Sequence, residues 1–166
     1  MKKKSIILIG FLMLSFVFMA SASANYNQTI SKNQCEGNPS YAYDTVFEFT
    51  QTPRPSGDGT LTVSVRGDYD WIGAEDIYVI VEGTSLGQWF PGGRCSTVTK
   101  TYTVTKNQLV QWSADGKIEV TLEQDWDVNC DVCSNNINIV TLDYPTANNS
   151  LPMQQFMKML GLGKKD

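Results

Sequence analysis

The chain has 166 residues, 13 basic and 17 acidic side chains, a net charge of −4 and no histidine. An acidic balance without a basic cluster excludes a nucleic-acid binder, because neutralising phosphates supplies most of that affinity. The lack of histidine removes the usual general base and the commonest metal ligand near neutral pH.

The chain opens on Met1-Lys2-Lys3-Lys4, an apolar run over residues 6–19 and the small residues Ala20-Ser21-Ala22-Ser23-Ala24. This order reads as a secretory signal peptide over 1–24, cut after Ala24. The apolar run falls short of the ~20 residues a spanning helix needs, and no second run of that length follows, so no transmembrane segment is expected. The leader holds three of the 13 basic residues and none of the 17 acidic ones, so the remainder carries ten against 17, a net −7. Such a surface attracts cations or basic partners. Secretion also puts Cys35, Cys95, Cys130 and Cys133 in an oxidising compartment, where two disulfides are the default.

One domain is expected over residues 25–145, and the strand signals within it follow in order. Residues 43–49 read as a first strand. Leu61, Val63 and Val65 alternate with Thr60, Thr62, Ser64 and Arg66, a half-buried strand over 60–66. Residues 77–81 are apolar on both phases and read as a central strand. A Glu82-Gly83-Thr84-Ser85 turn leads to a short return strand over 86–90. Val98, Tyr102 and Val104 share a phase among threonines. Residues 106–113 are the one helical piece of the domain. Ile118, Val120 and Leu122 alternate with acids and Thr121, and residues 137–144 form the last strand, with a phase change between Ile139 and Val140 that suggests a bulge. Turn residues separate these runs, notably 53–59, 91–93 and 114–116. The expected fold is all-β: an antiparallel sandwich with jelly-roll or Greek-key connections and one short helical crossover. A polar linker and a short amphipathic helix, with Met153, Phe156, Met157 and Leu160 on one face, are expected over 146–166.

If consecutive strands run antiparallel, counting them puts residues 33–41, 67–76, 91–97 and 125–136 at one end of the sandwich. All four cysteines fall there. The favoured pairing joins Cys35 and Cys95 each to one of Cys130 and Cys133; a local Cys130–Cys133 bridge plus Cys35–Cys95 is the alternative. A redox reading of the C-x-x-C fails for want of a helix after it, and a Cys₄ zinc site for want of a second such pair.

The same end collects Asp68, Asp70, Glu75, Asp76, Asp125, Asp127 and Asp131, oxygen donors of the kind calcium takes six to eight of. The Asp125-x-Asp127-x-Asn129 start resembles a calcium loop of the EF-hand kind. However, Cys130 stands where its sharp-turn glycine belongs and Asn136 where its bidentate glutamate belongs. The bland reading is a solvated acidic rim. Trp71, Trp89 and Trp126 also fall at or near this end, where ring faces beside carboxylates and amides suit sugar recognition; the bland reading is that they cap the core. A carboxylate pair such as Glu75 with Asp127 suggests glycoside cleavage, but a small sandwich offers little cleft, and no catalytic residue is assigned. Asn27-Gln28-Thr29 and Asn148-Asn149-Ser150 are glycosylation sequons that matter only in a glycosylating host.

GTLTVSVRGDYD and AEDIYVIVEGTSLG, within residues 59–87, and ADGKIEVTL at 114–122 resemble extracellular jelly-roll modules of the carbohydrate-binding and CUB-like kind. The resemblance implies a binding module with calcium at a loop end, carried by Asp68, Asp70, Glu75 and Asp76. The resulting expectation is a secreted, disulfide-stapled module that binds an extracellular glycan, with calcium assistance, through its end loops. The alternative is a structural or adhesion protein that self-associates or binds a surface protein through its sheet edges or C-terminal helix.

Overall fold

The computed structural model describes residues 24–36, 40–70, 75–125 and 127–147. Residues 1–23 of the leader, the expected C-terminal helix, Trp71 and Trp126 lie outside the described residues. Ala24–Ala147 forms one compact unit.

Among the described residues, eight strands and one helix follow in order: β1 (Asn25–Asn33), β2 (Thr45–Thr50), β3 (Gly59–Tyr69), β4 (Ile77–Val81), β5 (Thr84–Trp89), β6 (Gly93–Val104), α1 (Lys106–Trp112), β7 (Lys117–Gln124) and β8 (Ile137–Pro145). They form two four-stranded sheets, β1-β8-β3-β6 and β2-β7-β4-β5, with antiparallel pairing throughout. Folded in half at the β4–β5 hairpin, the chain pairs β4 with β5, β3 with β6, β2 with β7 and β1 with β8. Successive pairs fall alternately in the two sheets, which is the jelly-roll winding.

Alternation builds the core between the sheets. Phe47 and Phe49 of β2, Leu61, Val63 and Val65 of β3, Ile77, Val79 and Val81 of β4, Ile118, Val120 and Leu122 of β7, and Val140, Leu142 and Tyr144 of β8 are all buried. Helix α1 closes the end opposite the cysteines with buried Leu109 and Trp112. It starts in a capping box: Thr105 Oγ1 accepts from Gln108 N–H, and Gln108 Oε1 accepts from Thr105 N–H at 2.9 Å. The β4–β5 turn is only two residues, Glu82 and Gly83, at φ of 48° and 71°. This left-handed pair matches the twist of a tight hairpin.

Three details depart from the sequence reading. Strand β1 was not foreseen, because its inward residues Tyr26, Gln28 and Ile30 are only half-buried at the sheet edge. The bulge expected between Ile139 and Val140 is absent, since β8 keeps an unbroken register with both neighbours. Ile137 and Ile139 simply lie on the outer face, and the inward place before Val140 belongs to buried Asn138. The irregularities lie instead in β3, where Gly67 and Asp68 both oppose Arg94 of β6, and between Val79 and Ile80 of β4.

Candidate functional site

The strand count places the ends of β1, β3, β5 and β7 and the starts of β2, β4, β6 and β8 together. Covalent bonds pin this end. Cys35 is bonded to Cys130 with Cα atoms 5.9 Å apart, and Cys95 to Cys133 at 5.4 Å. Each distant cysteine thus takes one member of the C-x-x-C. The crossing over residues 125–136 is also zipped to the chain before β2: Ala42 N–H donates to Val128 O at 2.9 Å and Cys130 N–H to Ser40 O at 3.1 Å. Val128 enters the core.

The alternating acids and amides of that crossing have a local use. Asp125 Oδ1 accepts the N–H of Asp127 at 3.2 Å, and Asn129 Oδ1 accepts the N–H of Asp131 at 2.8 Å. These are turns in which a side chain satisfies the backbone two residues on. Sequence periodicity had suggested cation donors; turn chemistry requires the same residue types.

The other candidate acids are engaged in different directions. Asp68, buried beside the bulge, faces the Arg94 guanidinium at 3.3 Å. Burial raises its pKa, Arg94 opposes the rise, and Asp70 adds to it. Asp76 accepts a hydrogen bond from the Gln88 amide, and its carboxyl is raised by burial and then by Asp125. Glu75 is 9% exposed, with Oε2 buried and unpartnered. Burial, then the negative charges of Asp70 and Asp68, push its pKa up to about 7, against a hydrogen bond from the Asp70 backbone, and Asp127 adds to the rise. Among the described residues no three acids or cysteines gather as a metal-holding group.

The rings also differ from expectation. Trp89, expected as a stacking surface, is 8% exposed and belongs to the core, so it offers no face to a ligand. Among the described residues the exposed rings at or near this end are Phe90, Tyr41, Tyr78 and Tyr43, with Tyr78 at 42%. Tyr78 lies beside a groove of about 350 Å³ lined by Asp44, Asp76, Tyr78, Glu123, Gln124 and Asp125. The groove crosses the outer face of the second sheet. Tyr78 of β4 stands opposite Glu123 of β7 in register, and side chains two apart share a face, so Asp76 continues from Tyr78, and Asp125 from Glu123. Gln124 N–H donates to Asp44 Oδ1 at 3.3 Å, tying the start of β2 to the groove wall. Beneath lies a polar layer of the core: the Tyr69 hydroxyl is shared between Gln34 Oε1 at 2.9 Å and Gln124 Oε1 at 3.1 Å. Gln124 belongs to this layer by its side chain, which anchors β7 beneath the groove. Tyr78 escaped sequence reasoning because β4 is apolar on both phases.

No protein-family model matches the chain, and no curated protein matches it. Among solved structures, the dimeric latent PorU of Porphyromonas gingivalis is similar at a TM-score of 0.46 and 10% identity, over 74% of this chain and 13% of that one. A family 35 carbohydrate-binding module from an environmental isolate is similar at 0.41 and 15% identity, over 78% of this chain and 96% of that one. This chain therefore spans a small part of the first and nearly all of the second.

Proposed function

We propose that the protein is a secreted binding module that takes an extracellular glycan in the Tyr78 groove. One observation carries the reading: an exposed tyrosine ring beside carboxylates, in a concave site at the disulfide-pinned end. A ring face packs against the apolar side of a sugar, while carboxylates and amides bond its hydroxyls. Two disulfides suit an oxidising, extracellular location, and no described helix is long and apolar enough to cross a membrane. The test is a glycan array with the wild type and Tyr78→Ala. Binding that disappears with the ring supports the groove; binding indifferent to the ring moves the site elsewhere.

The second reading, a self-associating structural or adhesion protein, draws on β6, a 12-residue edge strand. An unpaired edge of that length is a template for another strand. Sedimentation that stays monomeric across concentration would remove it.

A further inference from the structure

The polar layer at the disulfide-pinned end draws on both sheets. Gln34 follows β1, Tyr69 ends β3 and Asn138 lies in β8, all of the first sheet; Thr45 opens β2 and Gln124 ends β7 of the second. Gln34, Thr45, Tyr69 and Asn138 are buried, Gln34 and Asn138 completely. Hydrogen bonds run through the layer in order. The Tyr69 hydroxyl reaches Gln34 Oε1 at 2.9 Å and Gln124 Oε1 at 3.1 Å. Gln124 Nε2 donates to Thr45 Oγ1 at 3.5 Å, and Asn138 Nδ2 donates to the same oxygen at 3.3 Å. This series starts at Gln34 and ends at Asn138. Its two ends are a buried donor, Gln34 Nε2, and a buried acceptor, Asn138 Oδ1, neither with a partner among the described residues. Asn136 Oδ1 is a third buried atom of this kind. Groups left so are costly, because burial has taken their water away.

The register brings these atoms together. Lys32 faces Asn138 across β1 and β8. Gln34, two residues on, stands opposite Asn136, and its N–H donates to Asn136 O at 3.3 Å. The Gln34 amide nitrogen lies over Gly67, where a Cβ would collide with it. Gly67 directly follows Arg66, which faces Ile137 of β8. The amide has therefore reached across β8 past the two neighbours of Ile137, which are Asn136 and Asn138. An N–H group beside two carbonyl oxygens suits neither a cation, which the donor repels, nor an anion, which the oxygens repel. A water molecule accepts from the nitrogen and donates to both oxygens, about three bonds, the usual complement of a buried water.

We propose that one buried water binds among Gln34 Nε2, Asn136 Oδ1 and Asn138 Oδ1 and closes the layer into a ring. The ring ties β2, β3, β7 and β8 to the segment after β1. It does not depend on the glycan reading.

Two measurements on the full chain test it. A crystal structure that shows ordered solvent is expected to hold one water within hydrogen-bond distance of all three atoms. Oxygen-17 relaxation dispersion, which counts long-lived waters, is expected to find one fewer in Gln34→Met, a side chain of similar length without the donor. The crystal structure of the wild type decides even if that variant fails to fold. A Gln34 amide bonded directly to either asparagine, an ion in place of the water, or no ordered molecule there overturns the proposal. So does an unchanged count of long-lived waters in a folded Gln34→Met.

Discussion

The side-chain amide of Asn136 donates to the carbonyl oxygen of Cys133 at 2.8 Å, and its nitrogen also reaches the carbonyl of Cys130 at 2.9 Å. One buried amide therefore fixes the backbone at both members of the C-x-x-C, and each cysteine is free to bond outward to a different segment. Asn136→Ala leaves two backbone carbonyls without that donor, a loss of about 1–3 kcal/mol for buried groups. Urea unfolding should show it as a lower midpoint at unchanged slope.

The two disulfides should contribute unequally. The Cys35–Cys130 bond closes a separation of 95 residues and Cys95–Cys133 one of 38. Each constrains the unfolded chain by about 2–4 kcal/mol, and in the chain-entropy account the longer loop contributes roughly 1 kcal/mol more. Paired alanine variants compared by chemical denaturation check the order. A larger loss from the 38-residue bridge would mean that native strain or unfolded-state structure, not loop length, sets the ranking.

Glu75 gives the stability a pH dependence of predictable sign. Its folded pKa of about 7 lies above the ordinary glutamate value of 4.5, so between those values the folded state holds the proton more tightly than the unfolded chain. Its contribution is fully present below the unfolded pKa and is lost as pH rises through 7. Melting temperatures across this window should fall in the wild type and flatten in Glu75→Gln. An unchanged slope in the variant would assign the effect to other groups, with Asp68 and Asp76, also raised by burial, the first to examine.

Gly67 is held small by its neighbour. A Cβ there would collide with the Gln34 amide nitrogen and meet the Tyr69 ring at 3.0 Å. Gln34 is fully buried and accepts from Tyr69, so it cannot swing away without losing that bond. Gly67→Ala should cost about 1–3 kcal/mol through overpacking. In Gln34→Ala the same substitution should cost clearly less, a coupling that a double-mutant cycle measures.

The inward phase of β3 and β7 was plain from alternation, in Leu61-x-Val63-x-Val65 and Ile118-x-Val120-x-Leu122. Strand count alone carried Cys35, Cys95, Cys130 and Cys133 to one end, because antiparallel order survives errors of a residue or two at strand ends. Adding β1 before the first expected strand does not change that parity. Three things were hidden. An edge strand such as β1 buries too little to write a pattern. Strand β4 has Ile77, Val79 and Val81 on one phase and Tyr78 and Ile80 on the other, so only the one-sided sheet shows that Tyr78 faces out. Asp125 and Asn129 each also accept a backbone N–H two residues on, a local use that their alternation in the sequence does not show.

The most direct measurement is an amide chemical-shift map of the isotopically labelled protein, titrated with a glycan that the array selects. The account predicts that perturbations concentrate at Asp44, Asp76, Tyr78, Glu123, Gln124 and Asp125, and that they vanish in Tyr78→Ala. Perturbations centred on the outer face of the first sheet, or on the far end around α1, with this groove silent, would contradict it.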